Sequence, residues 1–240
     1  MKDSDFHMHS NYSDGFNLIR EMVEAAIDRD LKNIAITDHI SASGHFLYTF
    51  SKSRLSLENY LDEITRLRRK YEKKIHIYAG VEITDDFVHT PKSHLLENKL
   101  YEYIDFISLI LIETILIAEP VRTALNVREY LNQIGDEQIL VVFAHPDYSA
   151  MNFSTFQLLL KNRIGFELNE SKLSERDAAF FLEFVNQLSQ KEKKDLLITV
   201  GSDAHRVKDV GRLNFVFSIV EDNNLWKYVI TPPKVQDFIL

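Results

Sequence analysis

Cysteine is absent from the 240 residues of this chain. A protein without cysteine has no disulfide framework and no thiolate ligand for a metal ion. Any metal ion that the chain binds must therefore be held by nitrogen and oxygen atoms, which histidine, aspartate and glutamate supply.

The chain also lacks a hydrophobic run long enough to cross a membrane. Its longest apolar stretch, residues 106–118, is interrupted by Ser108, Glu113 and Thr114. That stretch falls short of the roughly 20 apolar residues that a bilayer requires. The first five residues do not resemble the apolar core of a signal peptide. These absences predict a cytoplasmic protein without a membrane partner.

Positive charge is scarce, with 28 lysine and arginine residues against 36 aspartate and glutamate residues, a net charge of −8. This balance makes nucleic acid an unexpected partner, because long polynucleotides bind to basic surfaces. A small phosphorylated substrate stays compatible with it, since bound metal ions add positive charge. Low-complexity segments and repeats are also missing, and we predict a single domain over residues 1–240.

Short apolar segments of the length of a buried strand recur along the whole chain. They are residues 5–9, 33–38, 75–82, 106–111, 139–145, 164–169 and 196–202. Helical patterns between them cover residues 17–29, the segment after a capping Ser56, residues 126–134, and residues 175–191 after a capping Ser174. This alternation indicates parallel strands joined by helices, in a barrel or in a doubly wound open sheet.

Histidine, aspartate and glutamate residues, the types that can bind metal ions, fall at or just past the ends of these predicted strands. His7 and His9 share one face of the first strand, and Asp203 and His205 repeat that spacing after Gly201, which permits close approach. Other candidates are Asp14 in a turn, His39, Glu82 and His145. Only a barrel gathers the carboxyl ends of its strands on one face, so we predict a barrel with a metal site at its mouth.

The order and spacing of these motifs resemble the PHP (polymerase and histidinol phosphatase) family. The motifs are His7-Met8-His9, Asp14-Gly15, Thr37-Asp38-His39, Gly80-Val81-Glu82, His145-Pro146 and Gly201-Ser202-Asp203-Ala204-His205. Residues 56–82 are similar to the histidinol-phosphatase branch of that family. The resemblance implies an α/β fold, a distorted (β/α)7 TIM-like barrel, with two or three divalent ions of zinc, manganese or iron.

The resemblance also implies how the ligands are shared between the ions. One ion would take His7, His9, Glu82 and Asp203, a second Asp14, His39 and His205, and a third Glu82, His145 and a histidine after the fourth strand. In this chain the aligning position is Ile112, which cannot bind a metal ion. Glu113, His89 and His94 are the substitutes within reach. We therefore expect the ion shared by Glu82 and His145 to be bound weakly or not at all.

The activity implied is hydrolysis of a phosphate ester by metal-bound water, with no separate protein nucleophile. We expect a small phosphomonoester similar to histidinol phosphate. Arg206 and Arg176 are candidates for binding its phosphate, and Asn169 lies in a segment similar to one near the substrate in the family. Residues 41–54 either cover the pocket or pack on the barrel rim.

Two other functions stay open at the level of the sequence. One is a phosphodiesterase or nuclease, which the negative net charge disfavours. The other is a non-catalytic metal-binding domain, which the isoleucine at position 112 suggests. The sequence does not predict the oligomeric state.

Overall fold

The strands form one parallel sheet. The computed structural model describes residues 2–41, 45–47, 56–84, 103–115, 118–136 and 138–234. Its strands are β1 (Ser4–Asp5), β2 (Asn33–Ile36), β3 (His39–Ile40), β4 (His76–Ile83), β5 (Leu109–Ile112), β6 (Leu140–Phe143), β7 (Gly165–Asn169) and β8 (Ile198–Gly201). The strand order is β1-β2-β4-β5-β6-β7-β8, and β3 pairs with β4. The strand predicted over residues 33–38 thus ends earlier, at Ile36, and β3 begins just past the predicted end.

Backbone hydrogen bonds bring the two edges of this sheet together. The N–H of Phe6 donates to the carbonyl of Val200, and the N–H of Asp203 donates to the carbonyl of His7, both over 2.9 Å. The sheet is therefore nearly closed, and the predicted (β/α)7 TIM-like barrel is confirmed.

Helices cover the outside of the sheet. They are α1 (Ile19–Asp28), α2 (Leu57–Lys70), α3 (Pro120–Ile134), α4 (Phe153–Lys161), α5 (Glu175–Gln187) and α6 (Asn214–Asp222). Among the described residues, none of the helices is both long and apolar enough to cross a membrane.

The predicted helix starts at Ser56 and Ser174 are confirmed. The Ser56 hydroxyl accepts a hydrogen bond from the N–H of Asn59 (3.2 Å), and the Ser174 hydroxyl accepts one from the N–H of Asp177 (3.1 Å). The helix predicted over residues 126–134 begins earlier, because a proline at its first turn already has helical φ. The helices α4 and α6 were not predicted.

The register of the sheet decides which strand residues share a face. Glu82 is the partner of His39 on one side and of Leu111 on the other. Partner residues in neighbouring strands point the same way, so His39 and Glu82 face the same side of the sheet. Ile83 is the partner of Ile112, and these two side chains face the opposite side.

Candidate metal centre

All the side chains predicted as metal ligands converge at the carboxyl ends of the strands. They are His7, His9, Asp14, His39, Glu82, His145, Asp203 and His205. Most of them line a cavity of about 280 Å³, together with Glu113, Ile115 and Lys172. His7 and His9 are fully buried and contact Glu82 in its wall.

A first cluster consists of His7, His9, Glu82 and Asp203. The Nε2 atom of His7 lies 2.9 Å from Nε2 of His9 and 3.2 Å from Oε2 of Glu82. The Nε2 atom of His9 lies 3.2 Å from Oδ1 of Asp203. Ligand atoms on one four-coordinate ion lie about 3.3–3.6 Å apart when the bonds are 2.0–2.2 Å long. One ligand atom each from His7, His9 and Glu82 lies within 4.8 Å of the others, and Asp203 adjoins both histidines.

A second cluster consists of Asp14, His39 and His205, beside His9. The Asp14 carboxylate lies 3.1 Å from Nε2 of His205 and 3.7 Å from Nε2 of His39. The His9 ring stacks against those of His39 and His205, at centroid distances of 4.4 and 4.3 Å. One ligand atom from each of the four residues lies within 4.8 Å of the others. His9 thus adjoins both clusters.

A third group lies on the other side of Glu82. The Oε1 atom of Glu82 is 3.0 Å from Nε2 of His145, whose Nδ1 atom is 3.6 Å from Oε1 of Glu113. The expectation that Ile112 occupies the ligand position here is wrong, because this side chain faces away from Glu82. The next residue, Glu113, lines the cavity.

Divalent ions fit these residues. The Nδ1 atoms of His9 and His145 are buried and have no hydrogen-bond partner among the described residues. A buried nitrogen left in this way costs about 1–3 kcal/mol. A bound cation would remove that cost, and nitrogen and oxygen donors of these kinds suit zinc, manganese and iron.

The electrostatics of the site favour ionised carboxylates. Burial alone would raise the pKa of Glu82, but the nearby His7 and His39 lower it well below its ordinary range. Burial, together with the charge of His39, lowers the pKa of His9 to about 3, so His9 is neutral at pH 7. Burial also lowers the pKa of His145, but the adjacent Glu82 outweighs it and raises that pKa to about 9. A metal ion that binds His145 therefore displaces a proton.

Glu167 holds two of the predicted ligands in place. Its Oε1 atom lies 2.8 Å from Nδ1 of His7, and its Oε2 atom accepts a hydrogen bond from the N–H of His145 (2.8 Å). A carboxylate on Nδ1 fixes the tautomer and leaves Nε2 free to bind a metal ion. Sequence reasoning missed Glu167, although a glutamate inside the apolar strand β7 was the available signal.

Gly201 leaves room for this contact. A Cβ atom at this position would lie 2.2 Å from Oε1 of Glu167 and 2.4 Å from Cβ of His7. The close approach predicted for Gly201 is therefore a feature of the structure.

Two further buried carboxylates support the loops of the site. Asp5 accepts hydrogen bonds from the N–H and hydroxyl of Ser202, over 2.9 and 2.6 Å. Asp38 accepts hydrogen bonds from the N–H and hydroxyl groups of Ser10 and Ser13, over 2.6–3.0 Å. These contacts hold the chain segments next to the predicted ligands.

Two of the predicted ligands have strained backbones. His145 has φ 28° and Asp203 has φ 57°, in the left-handed region that residues with a Cβ rarely adopt. Such strain persists where the surroundings enforce it, and it concentrates at functional sites.

The predicted phosphate-binding residues differ in their placement. Arg206 is exposed over the ring of Phe16 (4.3 Å) and lines a cavity of about 460 Å³ that shares Asp203 with the metal centre. Arg176 lies over the ring of Phe180 and lines neither cavity.

Two further side chains near the site lie at the end of β7 and in the loop that follows it. Asn169 is buried, and its Oδ1 accepts hydrogen bonds from the N–H groups of Ser171 and Lys172. This position supports the loop, while the Asn169 side-chain nitrogen lies 3.5 Å from Nδ1 of His7. Lys172 lines the metal cavity and was not predicted.

Some residues that the sequence analysis placed near the site lie outside the described residues. This holds for Tyr48 and Phe50 of the loop over residues 41–54 and for His89 and His94. Phe46 is described, and its ring packs at 5.3 Å from Tyr12 and 5.2 Å from Tyr60.

Comparison with known proteins agrees with this geometry. The profile of the PHP domain family matches residues 5–197. The chain belongs to the PHP domain family. It is 36% identical over 87 residues to the histidinol-phosphatase of Lactococcus lactis subsp. lactis strain IL1403, a match covering 36% of this chain and 31% of that protein.

A second curated relative is named as a DNA polymerase and exonuclease. The chain is 25% identical over 221 residues to the DNA polymerase/3'-5' exonuclease PolX of Bacillus subtilis strain 168. That match covers 85% of this chain and 34% of PolX. The PHP chain thus spans about a third of the length of both curated relatives.

A solved structure shares the fold. The histidinol phosphate phosphatase of Lactococcus lactis, complexed with zinc, L-histidinol and phosphate, superposes with a TM-score of 0.61 at 20% identity. The superposition covers 92% of this chain and 94% of that one.

Proposed function

We propose that this PHP chain is a metal-dependent phosphoesterase that hydrolyses a small phosphomonoester, with residues 1–240 acting as one catalytic domain. The observation that carries the proposal is the convergence of eight ligand-type side chains, six of which line one cavity. The family, and the fold shared with a phosphatase bound to zinc, L-histidinol and phosphate, support it.

Each cluster would hold one divalent ion. The first ion would take the first cluster, the second would take Asp14, His39 and His205, and the third would take Glu82 and His145. Divalent ions bound there would polarise the phosphoryl oxygens and lower the pKa of a water ligand. Glu82 would connect the ions, since its two oxygens face different histidines.

The charge of the cavity makes cations a requirement for substrate binding. Four carboxylates line it, those of Asp14, Glu82, Glu113 and Asp203. Two like unit charges 4 Å apart repel each other by about 4 kcal/mol at an effective dielectric constant of 20. A phosphate group would meet several such pairs, so we expect phosphate to bind only when divalent ions are present.

Basic side chains at the cavity rim would orient the substrate. Lys172 lines the metal cavity, and Arg206 lines the adjoining one. Arg206 would contact the phosphate through its guanidinium group, which suits phosphate oxygens. Arg176 stays a prediction, and its position on α5 gives it no support.

The substrate we favour is histidinol phosphate or a molecule of similar size and charge. Two adjoining cavities of about 280 and 460 Å³ suit a small molecule. The relative named as an exonuclease makes phosphodiester cleavage the second candidate. The net charge of −8 disfavours it for long polynucleotides.

Phosphate release would test the proposal. Purified chain, loaded with Mn²⁺ or Zn²⁺, would be incubated with phosphomonoesters including L-histidinol phosphate, and with phosphodiesters including a short oligonucleotide. We expect turnover of at least one monoester, abolished by a chelator and by His7→Ala. The matched control is His76→Ala, an exposed histidine at the opposite end of β4, which should retain activity.

Each result has a defined meaning. Turnover confined to diesters would show that the chain is a phosphodiesterase and not a phosphomonoesterase. Metal binding without turnover of any ester would leave the non-catalytic metal-binding domain, and full activity in His7→Ala would refute the site itself.

A further inference from the structure

We propose that a cavity at the opposite end of the barrel from the metal centre binds a phosphoryl dianion. The cavity has a volume of about 200 Å³, and its lining residues are Arg128, Asn132, Lys161, Asn162 and Arg163. They belong to the C-terminal halves of α3 and α4 and to the turn that follows α4. The cavity lies near the amino ends of β6 and β7, whereas the metal centre lies at the carboxyl ends of the strands. This site is separate from the phosphoesterase activity proposed above.

Positive charge dominates this cavity. Three of the five lining residues are basic, and none of the described lining residues is acidic. The charge of Arg128 also reaches Asp136, and that of Lys161 also reaches Glu192. Neither carboxylate lines the cavity in the described part of the chain. In a chain with a net charge of −8, three cations around one small cavity reverse the local sign and attract anions.

Arg128 is the buried cation of this cavity. The residue is 6% exposed, whereas Lys161 and Arg163 are exposed. Its Nη2 atom donates to the carbonyls of Ile139 and Arg163, both over 3.2 Å. These two carbonyls precede β6 and β7, so the guanidinium group is anchored to the rigid sheet. A guanidinium group fixed in this way is preorganised for the oxygen atoms of a phosphoryl group.

The turn after α4 provides an independent observation. Arg163 has φ 55°, a left-handed conformation that glycine adopts most easily at the end of a helix. The corresponding turns after α1, α3 and α6 contain Asp30, Gly135 and Asn224, residue types that tolerate positive φ. Among the described residues with positive φ, only Arg163 is neither such a type nor a predicted metal ligand. Strain of this kind concentrates at functional sites, and here it accompanies a side chain that lines the cavity.

The size of the cavity and its amide groups indicate a small ligand. Its volume of about 200 Å³ is below the roughly 300–1,000 Å³ of pockets for drug-sized molecules. Asn132 and Asn162 add amide N–H groups, which can donate to phosphoryl oxygens beside the three cations. Inorganic phosphate and a small phosphorylated molecule share this chemistry.

A role of the basic residues in helix stability is the alternative explanation. Cations at the C-terminus of a helix interact favourably with its dipole, and Lys161 and Arg163 lie at the end of α4. This explanation does not account for Arg128, which lies in the middle of α3, or for an arginine where glycine is favoured. It predicts that replacing Arg163 lowers stability, whereas an anion site predicts weaker anion binding.

Nuclear magnetic resonance of the full chain, loaded with Zn²⁺ and labelled with nitrogen-15, tests the proposal at the level of single residues. Inorganic phosphate and methylphosphonate, which carries no ester bond, would be titrated in separately. We expect saturable shifts of the N–H signals of residues 162–164, distinct from any shifts near His9 and Asp203. Tighter binding of phosphate would support the free ion as the ligand, and tighter binding of methylphosphonate would support a substituted phosphoryl group.

Arg163→Gly separates anion binding from stability. Glycine suits the φ of 55°, so we expect the free energy of unfolding in denaturant melts to stay the same or rise. We expect phosphate to bind at least about tenfold more weakly, because a charge-assisted hydrogen bond is lost. Lys161→Gln should weaken binding as well. Lys227 is exposed in the turn Trp226–Tyr228, and Lys227→Gln is the control that should bind phosphate as wild type does.

The absence of saturable shifts at residues 162–164 in wild type would overturn the proposal. Equal dissociation constants for phosphate in wild type, Arg163→Gly and Lys161→Gln would overturn it too. Either result would leave the proposed phosphoesterase intact if wild type hydrolyses a monoester. Saturable shifts at residues 162–164 that Arg163→Gly weakens, with no ester hydrolysed by wild type, would instead support the anion site and refute the proposed activity.

Discussion

The hydrogen bond between Glu167 and His7 gives the sharpest prediction about the metal centre. Both side chains are buried, and Oε1 of Glu167 lies 2.8 Å from Nδ1 of His7. In Glu167→Gln the carboxylate becomes an amide, which no longer carries the charge that fixes the imidazole and increases its basicity. Outer-shell changes of this kind weaken metal binding by about 10–100-fold, or roughly 1.4–2.7 kcal/mol.

Competition with a fluorescent chelator would measure the dissociation constant of the tightest ion in wild type and Glu167→Gln. Nuclear magnetic resonance of the imidazole nitrogens would report the tautomer of His7 in both. We expect weaker binding together with a changed tautomer population. Glu183→Gln, an exposed glutamate on α5, is the control and should bind metal as wild type does.

An unchanged dissociation constant in a folded Glu167→Gln would refute the reasoning. A loss of stability with unchanged metal affinity would show that Glu167 supports the barrel and does not position His7.

Three further predictions concern stability. Gly201→Ala places a methyl group 2.2 Å from Oε1 of Glu167, so we expect it to lower the free energy of unfolding by about 1–3 kcal/mol in denaturant melts and to weaken metal binding. Gly135→Ala, with open space around its Cβ position, is its control and should leave metal binding unchanged. Ile112→His should destabilise the chain without adding a metal ion, because residue 112 is fully buried and faces away from the centre; an additional ion by elemental analysis would contradict this. Mn²⁺ at 100 times its dissociation constant should stabilise the fold by about 2.7 kcal/mol in thermal melts, and an equal melting temperature with and without chelator would show that the folded chain binds no ion.

Much of the barrel could be predicted because its strands are buried on both faces. Such strands are continuous apolar runs, and β4 and β7 begin and end within one residue of the predicted bounds. The convergence of the predicted ligands followed from the same logic, since the carboxyl ends of barrel strands meet on one face. Boundaries that depend on local turns were less predictable: the strand predicted over residues 33–38 ends at Ile36, and β3 begins at His39.

Contacts between distant segments could not be predicted from the sequence. Glu167 meets His7 across 160 residues, and no local pattern marks that pair. Whether Ile112 or Glu113 faces Glu82 depends on the register of β4 against β5. A shift of one residue would turn every side chain of β5 to the opposite face. The register is set by packing in three dimensions, so the residue at the end of β5 that faces the candidate centre became identifiable only in the folded structure.

Metal content and phosphate release, measured on the same samples of wild type, Asp203→Asn and His76→Ala, test the central claim most directly. We predict at least two divalent ions per chain and monoester hydrolysis in wild type and His76→Ala. We predict fewer ions and no hydrolysis in Asp203→Asn, whose side chain loses the charge that faces His7 and His9. Wild-type ion content and turnover in Asp203→Asn would contradict the claim that this cluster is the metal centre of a phosphoesterase.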